Sequence, residues 1–285
     1  MKQVKAGSFL LLGMSLLLSV SQAGQQLSQS QQSYSLHWAL NTAPPFHIVE
    51  GPYQGQGICD SLMLAVEDAL PERRMSRIVM PQTRIGVQFE RNVNQCFPCM
   101  IHRANSMAAP TWFSDPTHTY QPHGIITRPE TAARLRQLFG DPVVLEELLQ
   151  SNDYRLGHPA GRRYGELQNL LDMHEGQSSY RVIRTGENAT TAVLEMILAG
   201  RVDYTIDYQG LLAYHQRTSG DPLEFIEIAE TSGEHVIGAI GCTNNAWGRA
   251  LINEINQQLT DIRRDPRFME SLRLWSESSV QIPFL

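Results

Sequence analysis

The segment Ser35-Leu36-His37-Trp38-Ala39-Leu40-Asn41-Thr42-Ala43-Pro44-Pro45-Phe46 alternates apolar and polar residues and then breaks at two prolines. Leu36, Trp38 and Leu40 fall on one face of an extended chain, so the spacing predicts a half-buried strand over 35–40. Gly55 and Gly57 come next, and Asp60 is placed to cap a helix running to Leu70. The rhythm continues with a strand over 77–80, a helix over 83–92 and a strand over 99–102. Ser114-Asp115-Pro116 and Gln121-Pro122-His123-Gly124 interrupt it. It then restarts: strand 124–128, helix 130–139, strand 154–157, helix 161–173, strand 180–184, helix 188–198, strand 203–206. Segments 223–228 and 236–240 read as further strands. Leu251, Ile252, Ile255, Leu259 and Ile262 form an apolar stripe at helical spacing near the end of the chain. Such alternation predicts an α/β architecture, and the restart predicts two units of it.

The first residues read as an export signal. Lys2 and Lys5 precede an apolar run from Phe9 to Val20, and Ser21-Gln22-Ala23 offers small residues for cleavage after position 23. The run is short for a membrane span, and no later stretch is longer, so the chain is not expected to span a membrane. The Gln/Ser-rich residues 24–33 read as a disordered leader. Both lysines lie in the signal. The chain beyond position 23 carries 21 arginines against 29 acidic residues, a formal charge of −8. That balance argues against nucleic-acid binding, and the missing lysine excludes Schiff-base and P-loop chemistry. No G-x-S-x-G or H-E-x-x-H pattern occurs and the nine histidines are scattered, so no catalytic residues, metal site or cofactor are assigned. Cys96-Phe97-Pro98-Cys99 has the spacing of a redox or half-zinc motif, but no second pair completes it. Structural disulfides are the reading for Cys59, Cys96, Cys99 and Cys242 in an oxidising compartment.

Five segments, in order, resemble the family 3 periplasmic solute-binding proteins, the group that includes amino-acid receptors of ABC importers. They are the strand ending in Ala43-Pro44-Pro45-Phe46, the helix start Gly57-x-x-Asp60, Trp112-Phe113-Ser114-Asp115-Pro116, Gly157-x-x-x-Gly161-Arg162-Arg163-Tyr164-Gly165, and Ala199-Gly200-Arg201-Val202-Asp203. The resemblance implies a two-lobed type II periplasmic binding fold, each lobe a mixed sheet flanked by helices, with two hinge strands between them. Lobe one would comprise 34–120 and 236–285, and lobe two 124–231. The implied role is a monomeric periplasmic receptor that captures a small polar or anionic solute in the cleft and serves a membrane permease, rather than an enzyme. Two alternatives stay open. One is a periplasmic enzyme on the same scaffold, as in cyclohexadienyl dehydratases. The other is a ligand-sensing subunit for a membrane signalling protein. The fold also implies a disulfide from Cys242 to Cys96 or Cys99.

The family's amino-acid recognition residues are largely missing. Its carboxylate-clamping arginine falls on Met107, its stacking aromatic on Ala43, and its ammonium-binding acid on Tyr208, with Asp207 one residue short. The ligand set expected instead starts with Arg162, Arg163 and Tyr164, at what the pattern predicts to be a helix N-terminus suited to an anion. The same arginines also read as a solvated pair beside Glu166 or Asp172. Asn41 and Phe46 end the first strand, where α/β sheets place ligands. Tyr204, Asp207 and Tyr208 could form an aromatic and acidic wall at a lobe-two strand.

Overall fold

The computed structural model describes residues 35–174 and 181–276. The signal and leader expected over 1–33, and the end of the chain from 277, lie outside the described residues. Two mixed sheets, each flanked by helices, account for the strands. The first contains β1 (Ser35–Leu40), β2 (Arg74–Val79), β3 (Cys96–Ile101), β4 (Thr111–Phe113), β5 (His118–Tyr120) and β11 (Val236–Thr243). Its order is β2-β1-β3-β11-β4, with β5 also paired to β11. The second contains β6 (Gly124–Thr127), β7 (Leu156–Pro159), β8 (Arg181–Arg184), β9 (Tyr204–Asp207) and β10 (Glu224–Glu227), in the order β10-β6-β9-β7-β8. The chain leaves the first sheet between Tyr120 and Gly124 and returns between Glu227 and Val236. The strands on either side of those crossings, β5 and the start of β11, pair antiparallel with Val236 opposite Tyr120.

Each sheet buries both faces. Leu36, Trp38 and Leu40 pack with Leu62 and Val66 of α1 (Ile58–Ala69) and with Leu251, Ile252, Ile255, Leu259 and Ile262 of α8 (Ala246–Arg263). The C-terminal stripe is therefore a core stripe. Ala39 points to the other face, with Ile85 and Phe89 of α2 (Gln82–Glu90). In the second sheet the neighbours Ile125 and Ile126 enter opposite cores, as strand geometry requires. Ile125 meets α3 (Pro129–Phe139) and α4 (Leu145–Ser151) through Leu135 and Leu145. Ile126 meets α6 (Ala189–Leu198) and α7 (Gln209–Thr218) through Val193 and Leu211.

Two local expectations change. Asp60 is the third residue of α1 rather than its cap; it reaches back to accept the Gly57 N–H at 3.2 Å. The helix expected from Gly161 starts later. Gly161 has φ +80, the chain stays irregular through Tyr164, and only a 3-10 turn over Gly165–Leu167 leads into α5 (Gln168–His174). Glycine's tolerance of the left-handed region lets the chain turn there instead of winding.

Disulfides join Cys96 to Cys242 and Cys59 to Cys99. The first links directly opposed residues of β3 and β11 across 146 positions. The second ties α1 to β3, a pairing that spacing did not reveal. Constraining so long a loop limits the unfolded chain, so the double variant Cys96→Ser/Cys242→Ser is expected to lose about 2–5 kcal/mol of stability. Urea unfolding under oxidising conditions checks this, and an unchanged midpoint would contradict it.

Candidate functional site

The parallel strands β1, β2 and β3 end at Leu40, Val79 and Ile101, beside Tyr120 of β5. In the second sheet β7 and β9 end at Pro159 and Asp207, beside the start of β6. Carboxyl ends of parallel strands are where such sheets bind ligands, because the chain turns away there and leaves a crevice. The two ends face each other. Phe46, after β1, meets Tyr208, after β9, with ring centroids 5.2 Å apart. A Cβ on Gly161 would lie 3.1 Å from the Thr83 nitrogen.

Phe46 is held by the start of α1. The Ile58 and Cys59 amides, which have no partner within the helix, donate to the carbonyls of Pro45 and Phe46 at 2.9 Å each. Asp60 completes the clamp by accepting from the Ile48 amide and by pairing with His47 Nδ1, both at 2.9 Å. Only glycine fits at position 57, since a Cβ there would lie 2.3 Å from the Phe46 oxygen.

Four rings pack at the junction. Phe46 and Tyr120 meet edge to face at 5.3 Å, Tyr120 and Tyr208 lie 5.4 Å apart, and His123 stacks on Tyr208 at 3.9 Å. The Arg162 guanidinium sits over the Tyr208 ring at 5.3 Å and forms an ion pair with Asp207. Asp207 is 1% exposed, and its Oδ1 also accepts the Tyr208 amide at 2.7 Å. Four buried polar atoms here have no hydrogen-bond partner: Tyr120 Oη, His123 Nε2, Arg162 Nε and Asp207 Oδ2.

Burial dominates the ionisation of the cluster. It raises the Asp207 carboxyl, while Arg162 and the Tyr208 amide pull it back. Burial acts to lower Arg162, but the charge of Asp207 and the neighbouring tyrosines outweigh it. Burial and then Arg162 hold His123 well below its ordinary range. It also pushes His118 down to about 3, and His158, with Arg181, Arg162 and Arg163 adding to the effect, to about 4.

The expected ligand residues divide. Phe46, Arg162, Asp207 and Tyr208 converge. Asn41 stands at the end of β1 with its Oδ1 buried and unpartnered. Tyr164 is a core residue of the second sheet whose hydroxyl meets His158 Nδ1 at 3.2 Å, although its ring also touches His123. Tyr204 lies at the opposite, amino end of β9, buried in that core. Arg163 is exposed. Met107 does not reach the cleft: it is 72% exposed and its sulfur approaches Arg249 at 3.9 Å, beyond the far end of β11. The 102–110 loop carries it away, from the Ile237 end of β11 to the Thr243 end. Tyr120 and His123 were not expected as ligand residues. The turn signals around them were legible, but their convergence with β9 was not. Among the described residues no group of three His, Cys, Asp or Glu side chains is placed to hold a metal ion.

The fold is that of the two-lobed type II periplasmic binding proteins. A histidine-bound ABC transporter substrate-binding protein from Streptococcus pneumoniae superposes with a TM-score of 0.66 at 14% identity, covering 91% of this chain and 99% of its own. An ancestral amino-acid-binding protein, a precursor of cyclohexadienyl dehydratase, gives 0.61 at 14% identity over 88% and 99%. An arginine-specific periplasmic binding protein from Salmonella typhimurium gives 0.60 at 13% identity over 85% and 99%. No family model matches the sequence, and no curated relative matches it.

Because His118, His123 and His158 are held neutral, the folded chain binds fewer protons than the unfolded chain once the pH drops below about 6.5. Stability is therefore complete above that value and falls as the pH falls toward the folded-state values of about 3 and 4. Between pH 7 and pH 5 each imidazole that stays neutral is expected to cost about 2 kcal/mol. Urea midpoints at the two pH values test this, and His118→Gln should lessen the difference by the share of one imidazole. Equal midpoints for the unsubstituted protein would refute it.

Proposed function

We propose that this protein is a periplasmic receptor that closes its two lobes around a small polar solute and presents it to a membrane permease of the ABC-importer type. The observation that carries the reading is the group of unpartnered buried polar atoms on Tyr120, His123, Arg162 and Asp207, gathered where the carboxyl ends of two sheets meet. Buried donors and acceptors without partners cost free energy, and a small molecule bearing matching groups satisfies them. The likeness in fold to proteins solved with histidine or described as arginine-specific supports the same reading. So does the export signal read at the N-terminus. Among the described residues no helix is long and apolar enough to cross a membrane. The receptor works as a monomer in this reading, and the crossings at Gln121–His123 and Thr231–Glu234 act as the hinge.

An enzymatic second reading draws on two features. A neutral imidazole, His123, stacks on Tyr208, which follows a carboxyl raised by burial, Asp207, and a dehydratase precursor shares the fold. A thermal-shift screen over amino acids, amines and carboxylates, with mass analysis of the ligand afterwards, separates the two. A receptor returns its ligand unchanged.

Tyr120→Phe removes only an unpartnered hydroxyl. The free protein is expected to keep or gain stability, while affinity for the screened ligand falls about tenfold, or about 1.4 kcal/mol. A destabilised free protein with full affinity would sink the assignment of Tyr120 to the site.

A further inference from the structure

We propose that the Arg162 side chain is a built-in occupant of a cation subsite, and that the solute taken up carries a guanidinium or ammonium group that displaces it from Asp207. This rests on the receptor reading above and goes further by naming the charge of the ligand.

The fixed part of the site is anionic and aromatic. Asp207 ends β9 inside the second sheet, 1% exposed, with its Oδ1 tied to the Tyr208 amide. Tyr208 follows it in the chain, and Phe46 and Tyr120 pack with Tyr208, each ring within 5.4 Å of the next. Aromatic faces beside a buried carboxylate suit a desolvated cation, because ring quadrupole and carboxylate attract the same charge. The other nearby titratable groups, His123 and Tyr164, bring no negative charge of their own.

The movable part is the cation. Arg162 comes from the irregular segment between β7 and the 3-10 turn, next to a glycine in the left-handed region. That segment touches the opposite lobe at Thr83. Arg162 is also a poorly matched occupant. Its Nε and the Asp207 Oδ2 are both buried without partners, although a guanidinium and a carboxylate can form two parallel bonds. A free guanidinium could take the two-bond arrangement that the tethered one misses. Two cations beside one carboxylate repel, so an incoming cation and Arg162 exclude each other. An anionic solute would instead have to sit against the unpartnered Asp207 Oδ2. The tether thus keeps Arg162 on the carboxylate when no solute is present, and it weakens every cation that must compete with it.

Calorimetric titration of the purified protein with L-arginine, agmatine and putrescine, against L-glutamate, tests this alongside small-angle scattering. Arg162→Ala and Arg162→Gln are expected to bind at least one of the cationic probes tenfold or more tightly than the unsubstituted protein, with no gain for glutamate. Arg162→Lys is expected to keep the weak binding of the original. Arg162→Ala should contract in scattering when the cation is added. If Arg162→Ala does not fold, Arg162→Gln carries the comparison. Loss of cation affinity in both variants, or no gain in either, overturns the proposal. If the unsubstituted protein contracts around glutamate or an uncharged solute instead, the inference falls and the receptor reading stands. If no solute binds any variant, both fall.

Discussion

Asp207 ends a strand whose four residues are all buried, and a carboxylate so placed stays charged only beside a cation. Arg162 supplies that cation from the same lobe. The pair lies where the two sheets confront each other, with its charges balanced inside the second lobe. Tyr120 reaches this point from the outgoing crossing, His123 from the start of the second sheet, and Phe46 from the first. Polar atoms left unmatched in such a place are the mark of a site shaped for something else.

The pair depends on a scaffold that brings distant segments to one point. Phe46 is fixed only because α1 begins with free amides that need acceptors, because Asp60 gathers the His47 and Ile48 groups, and because position 57 has no side chain. A second junction lies beside the cleft. Tyr214 of α7 contacts Tyr53 and the ring of Trp275 in α9 (Pro266–Trp275), and Arg217 lies 5.5 Å over Trp275. Gly210 permits this approach, since a Cβ there would come within 2.9 Å of the Trp275 oxygen. The lobes thus meet through aromatic surface as well as through the polar cluster.

Much of the architecture was legible in the chain. Strand periodicity in 35–40, the helical stripe through Ile262 and the restart after Gly124 each reflect burial of one face of a local element, and a linear pattern records that directly. Edges were less legible. Cys96, Phe97 and Pro98 belong to β3 although the pattern began the strand at Cys99, because the pairing with β11 recruits them. Short strands such as β4 and β5 carry too few residues for a period to emerge. The helix expected at Gly161 failed because the motif's charged residues stand in a loop where one of them turns inward to Asp207.

By itself the sequence determined the class of architecture, the division into two α/β units and the placing of Phe46, Asp207 and Tyr208 at strand ends. These come from periodicity and turn chemistry, which act between near neighbours. The tertiary structure decided which cysteines join, that Met107 and Tyr204 lie away from the cleft, and that Tyr120 and His123 line it. It also decided that Arg162 faces Asp207 across 45 positions of chain. Such pairings depend on how sheets stack and where loops return, and no local pattern in the chain encodes the distance between two residues that only folding brings together.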